Sequence, residues 1–157
     1  ANLYAQIENT TDSIWSVNDK YALVTMNSVF KREFDRVFRS DLHLGDVIID
    51  YLPEPHRTIW KDRYDRSLAG EKFELVETHE FEKPPVHISI SYNPVSVENK
   101  IVGVACFTRD ITALKTSEVD LKEALASRDK LFSVIAHDLR GPISNIYQST
   151  GWIFSSL

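Results

Sequence analysis

The sequence carries a single cysteine in 157 residues. No intrachain disulfide can form, and this usage fits a reducing compartment. The cysteine, Cys106, sits inside the apolar run 102–107 and reads as a small buried hydrophobe, not a reactive thiol. Long hydrophobic runs are missing too. No stretch approaches the roughly 20 apolar residues of a membrane span, and no secretory leader pattern is visible. The expectation is a cytoplasmic segment without direct membrane contact, in which a membrane anchor would belong to a longer parent protein. An excess of positive charge is lacking: a net charge of −5 argues against non-specific nucleic-acid binding. His43, His79 and His87 share no metal-ligand spacing with one another or with Cys106, so no metal is expected. Residues 111–139 contain neither proline nor glycine, which leaves a long helix as the natural reading.

What is present supports one ordinary domain plus an appendage. The hydrophobic fraction of 43% is enough for a core, and 26% charged residues support solubility. A short helix is expected at about 2–9, then strands at 13–17 and 21–25 joined by Asn18-Asp19-Lys20. Asn27 or Ser28 offers an N-cap for a helix carrying Val29, Phe30, Phe34, Val37 and Phe38 at helical spacing. Residues 41–50 read as a short helical turn or two. Leu52-Pro53-Glu54-Pro55 ends them, and a helix over 55–68 follows, with Trp60, Tyr64 and Leu68 on one face. Three strands complete the domain. The first spans 73–82. The second alternates Val86, Ile88, Ile90 and Tyr92 with His87, Ser89, Ser91 and Asn93, so one face should be buried. The third, 101–108, is nearly all apolar, so both its faces should be covered. Glu98-Asn99-Lys100 forms the turn between these two. The order predicts an α+β fold with a five-stranded antiparallel sheet.

This order of elements, with Asn27-x-x-Phe30 after the second strand and Arg109-Asp110-Ile111-Thr112 after the last, resembles the PAS sensor fold over roughly residues 2–113. The resemblance implies short helices on one face of the sheet and a sensor domain over 1–112. It also implies that Asp110, Ile111 and Thr112 are the junction through which the sheet drives an output helix. Physically, Asp110 can cap that helix and pair with a nearby cation, with Thr112 assisting. Candidate pocket-wall residues are Phe30, Val47, Trp60, Phe73, Ile88, Ile90 and Val104, all equally explained as core. Flavin-binding light sensors carry an Asn-Cys-Arg motif that is absent here. Haem-binding relatives place an axial His where Trp60 stands, after Pro53-Glu54-Pro55, with His56 only nearby. No PAS cofactor is expected.

Beyond the domain, Leu114, Leu121, Leu125, Phe132, Ile135 and Leu139 follow alternating three- and four-residue spacing, interrupted by Glu118 and Arg128. That is a heptad seam, and it predicts a parallel homodimer through a coiled-coil linker at 113–130. The rival reading folds the helix back onto its own domain. Around a helix Ile135 and Leu139 point the same way, and His137 points almost opposite. The stretch His137-Asp138-Leu139-Arg140-x-Pro142 closely resembles the H-box of sensor histidine kinases. The resemblance implies that residues 131–157 begin a dimerisation and phospho-acceptor domain. His137 would take phosphate from ATP and pass it to a response-regulator aspartate. Asp138 would orient and deprotonate it, and Pro142 would kink the helix. In such kinases the residue four after the His is often Thr or Asn, which positions water for dephosphorylation. Gly141 stands here, which puts phosphatase activity in doubt. Only 20 residues follow His137, and no ATP-cradling motif is among them. The parent is expected to supply the ATP-binding domain, and this segment alone is expected to be inactive. A different reading is a PAS ligand-binding or dimerisation module with no phosphorelay role.

Overall fold

The computed structural model describes residues 3–80 and 83–155, with side chains as far as Arg140. The elements are α1 (Leu3–Glu8), β1 (Ser13–Asn18), β2 (Leu23–Met26), α2 (Ser28–Phe38), a 3-10 turn (Ile48–Tyr51), α3 (His56–Leu68), β3 (Phe73–His79), β4 (Val86–Val97), β5 (Lys100–Asp110) and α4 (Thr112–Ser155). The expected five-stranded antiparallel sheet is present, in the order β2-β1-β5-β4-β3. One folded unit runs to Thr112, and a second, residues 113–157, carries the rest of α4.

The core lies between one sheet face and the helices. Trp15 and Val17 of β1, Ile90 and Tyr92 of β4 and Val104 and Cys106 of β5 point into it. Phe30 and Phe34 of α2 and Tyr64 of α3 close it from the other side. The alternation that marked β4 places Phe73 opposite Tyr92, Leu75 opposite Ile90 and Glu77 opposite Ile88 on β3. The β4–β5 hairpin turns through Glu98 (φ 49°) and Asn99 (φ 61°), both left-handed, as a tight two-residue turn requires. Gly103 is obligatory for another reason: a Cβ there would stand 2.2 Å from the Val17 carbonyl oxygen of β1.

Four expectations need correction. Residues 41–50 are mostly an irregular loop with a turn at Leu44-Gly45, and helical only from Ile48. Their backbone serves the open edge of β2. Leu23 N–H donates to the Asp46 carbonyl (2.8 Å), Gly45 N–H to Leu23 (2.7 Å) and Ile48 N–H to Tyr21 (3.0 Å). Buried Leu42 and Ile48 anchor this loop, so their close spacing mimicked a helix. Second, β2 starts at Leu23, not Tyr21, which is left-handed (φ 61°). Third, β5 is covered on one face only. Phe107, on the face opposite Val104 and Cys106, is 44% exposed, because the helices pack on the other face. As the expected turn at Glu98-Asn99-Lys100 implies, β4 runs on through Pro94 to Val97. Its pairing with β3 ends at Tyr92, so Pro94, which has no N–H to donate, withholds none from that neighbour. Fourth, β3 stops at His79, with Glu80 in a turn, and the expected extension to 81–82 lies outside the described residues.

Candidate functional site

Asn27 organises the start of the domain. It is buried and N-caps α2: its Oδ1 accepts from Phe30 N–H (2.9 Å) and from Ile14 N–H (3.1 Å). Its Nδ2 donates to the carbonyls of Asp12 (2.8 Å) and Ile7 (3.1 Å). The Glu8 carboxylate adds to this by accepting Ser28 N–H (3.1 Å) at the N-terminus of α2, where negative charge is favoured.

The end of the domain is held as closely. The Asp110 carboxylate accepts the Thr112 N–H (2.9 Å) and hydroxyl (2.6 Å). These bonds hold its carboxyl below the usual value of 3.8. The Thr112 hydroxyl oxygen accepts His87 N–H (2.9 Å), and Ile111 N–H donates to the His87 carbonyl (2.8 Å). Thus the predicted trio Asp110, Ile111 and Thr112 is brought together and bonded to β4. Asp110 therefore caps the start of α4 through the first helical N–H, as expected. One detail differs from expectation. Among the described residues Asp110 forms no ion pair, because the adjacent cation, Arg109, pairs with Asp12 (2.9 Å).

The interior is aromatic. Trp15 stacks on Phe30 at 4.3 Å and Phe73 on Tyr92 at 4.9 Å, with Trp60 and Tyr64 between them. Trp15 Nε1–H donates to the Tyr64 hydroxyl (3.0 Å). Of the candidate wall residues, Phe30, Ile90 and Val104 are core, and Trp60, Phe73 and Ile88 pack against it. Val47 stands apart, on an open groove with Gly45, Asp46, Asp50 and Tyr51. His56 is exposed and packs edge-on against Phe38, so it does not present a ligand to the interior. Burial pushes the Tyr64 and Tyr92 hydroxyls and the Cys106 thiol up, so all three stay neutral. Arg63 reaches from α3 to Glu77 of β3 and towards the Tyr92 hydroxyl. Yet Arg63 Nη1, the Tyr92 hydroxyl and Ser67 Oγ are buried without a hydrogen-bond partner among the described residues. They form a polar corner that the sequence reading did not single out.

In α4 the seam residues Leu114, Leu121, Leu125, Phe132, Ile135 and Leu139 are all exposed in the single chain, from 44% at Ile135 to 62% at Leu121. The Arg128 guanidinium lies over the Phe132 ring at 5.3 Å. His137 is 85% exposed, and its Nδ1 stands 3.6 Å from the Asp138 carboxylate. That is an ion-pair approach just beyond hydrogen-bond length. The helix continues through Pro142 to Ser155, so that proline does not end it. The surroundings of Gly141 and the side chain of Pro142 lie outside the described residues.

Sequence reasoning missed the Asp12–Arg109 pair, although a signal existed. In an antiparallel β1–β5 pair, Ser13 faces Thr108, which puts the residues just outside them, Asp12 and Arg109, side by side.

No helix among the described residues is long and apolar enough to cross a membrane. Among curated proteins nothing matches. Solved structures do. The PAS domain of Bordetella pertussis BvgS is 19% identical, with a TM-score of 0.55 over 76% of this chain and 93% of that one. The phage VqmA-DPO complex is 16% identical, with a TM-score of 0.57 over 80% of this chain and 57% of that one. A weaker likeness, TM-score 0.49 at 20% identity, is to a sensory box sensor histidine kinase from Vibrio cholerae, over 70% of this chain and 90% of that one. The first two likenesses show the fold. A family model described as the PAS fold matches residues 7–116, which is most of the chain and includes every strand of the sheet, so the chain belongs to the PAS family.

Proposed function

We propose that this chain is the sensory and first phospho-acceptor portion of a two-component sensor histidine kinase. The observation that carries the reading is the run His137-Asp138-Leu139-Arg140-x-Pro142, on a helix that begins directly after a PAS domain and holds His137 in solvent. The PAS domain receives a signal, the junction at Asp110, Ile111 and Thr112 passes it on, and α4 pairs with α4 of a second copy through its seam. A side chain that must meet an ATP-binding domain and then a response regulator has to stand clear of the seam. Closing that 3.6 Å gap to hydrogen-bond length lets the Asp138 carboxylate hold the proton on Nδ1 and leaves Nε2 as the nucleophile. Nε2 attacks the γ-phosphorus of ATP, the bond to the bridging oxygen breaks, and ADP leaves. Phosphohistidine then gives its phosphoryl group to an aspartate of the response regulator.

The test supplies the chain with a separately purified histidine-kinase ATP-binding domain and ATP labelled at the γ-phosphate. The expected result is acid-labile label, of low yield, that disappears in His137→Gln. Equal label in His137→Gln, or none in the wild-type chain with the ATP-binding domain in excess, would overturn the reading.

A further inference from the structure

The two ends of the PAS domain are joined to each other. Because β1 and β5 are antiparallel neighbours with Ser13 opposite Thr108, the incoming and outgoing segments emerge side by side. One contact spans them. Arg109 donates from Nη2 (2.9 Å) and Nε (3.1 Å) to a single carboxylate oxygen of Asp12, 97 residues away in sequence. On the incoming side, the Asp12 carbonyl is held by Asn27 Nδ2, which also holds the Ile7 carbonyl at the end of α1. On the outgoing side, Arg109 adjoins Asp110, whose carboxylate holds Thr112, the first residue of α4. A path of hydrogen bonds joined by backbone links thus runs from α1 through Asn27 and Asp12 to Arg109, and from its chain neighbour Asp110 to Thr112, and it bypasses the aromatic interior.

We propose that this chain of contacts is a second input route: a displacement of α1 reaches the first turn of α4 through the Asp12–Arg109 bridge, independently of anything received in the domain interior. The inference rests on reading α4 as the output element, and it deepens the proposed function by naming positioning residues for its regulation. The bridge does not need to be strong. Arg109 is exposed, and exposed pairs contribute little to overall stability. Its value lies in where its ends are fixed: Asp12 by Asn27, and Arg109 by the β-ladder.

Contacts in sequence show a route, and energetic coupling is what establishes one. The test is therefore a double-mutant cycle in the full chain, read by hydrogen exchange at the amides of residues 116–121. These are the first that a helix starting at Thr112 bonds internally. Glu8→Gln loosens α1, and Asp12→Asn cuts the bridge. Each alone should raise exchange there about two- to fivefold, the range expected of one partly exposed ion pair. In the Asp12→Asn background, Glu8→Gln should add nothing. The charge swap Asp12→Arg with Arg109→Asp should restore protection, and it guards against a variant that merely folds badly. Fully additive effects, no change at 116–121, or failure of the swap to restore protection in a chain that still melts cooperatively would overturn the proposal. None of these readouts involves phosphate, so they stand or fall separately from His137 labelling.

Discussion

The Asn27 carboxamide is saturated: two donors and two acceptors, all satisfied, in a residue with 1% of its surface exposed. Asn27→Ala removes the cap of α2 and leaves the half-buried Ile14 N–H without its side-chain partner. Adding the two costs gives about 2–4 kcal/mol, to be read as a drop in the urea midpoint with an unchanged slope. A change below about 1 kcal/mol would mean that water replaces the lost bonds. Asp110 carries a pH signature. Its carboxyl is lowered in the folded chain by the Thr112 hydrogen bonds. Its contribution is therefore present above the ordinary carboxylate value and is lost as pH falls through the lowered one. The first turn of α4 should loosen below about pH 4, visible in the Thr112 methyl resonance, and Asp110→Asn should abolish that titration. A Thr112 transition that survives in Asp110→Asn would assign it to another group.

Helix α4 shows what a seam can and cannot do alone. Its apolar stripe is exposed along its length in one chain, an arrangement that favours a partner. A parallel, in-register pair stacks Glu118 on Glu118 and Arg128 on Arg128, two like-charge layers between apolar layers. Light scattering of the 18.0 kDa chain should give about twice that mass. Leu121→Glu with Leu125→Glu should return the monomer. Glu118→Leu with Arg128→Leu should tighten the dimer by at least tenfold in Kd, since two buried like-charge layers are replaced by packed ones. Weaker association in that variant would argue that the seam is not parallel. Such a result would favour an alignment in which Glu118 meets Arg128 of the other copy.

Across the whole molecule, legibility followed local chemistry. The alternation in β4, the Asn27 cap and the break at Pro53 could be read from neighbours in sequence, and each became the expected element. The loop over 41–50 could not. Its partners are the distant edge of β2 and the side chains of Lys31 and Asp35, which hold the Leu42 carbonyl and N–H. The open face of β5 was misread because hydrophobicity records which residues avoid water and is silent on whether anything arrives to cover them. At the candidate site, the spacing of His137, Asp138 and Pro142 was visible at once. The polar corner of Arg63, Ser67 and Tyr92 was not, since it arises only when α3 crosses β4.

The close approach at Gly103 bears on how such a domain can move. The strands β1 and β5 are in contact at a point where only a residue without a side chain fits. Sliding β5 by two residues would bring Ile101 or Ala105 to the Val17 carbonyl, and either would collide with it. Slippage between these strands is therefore closed as a mode of motion. Asp12 and Arg109 keep a fixed alignment, and any displacement reaching the sheet from α1 must be carried as tilt or bending of the strand pair.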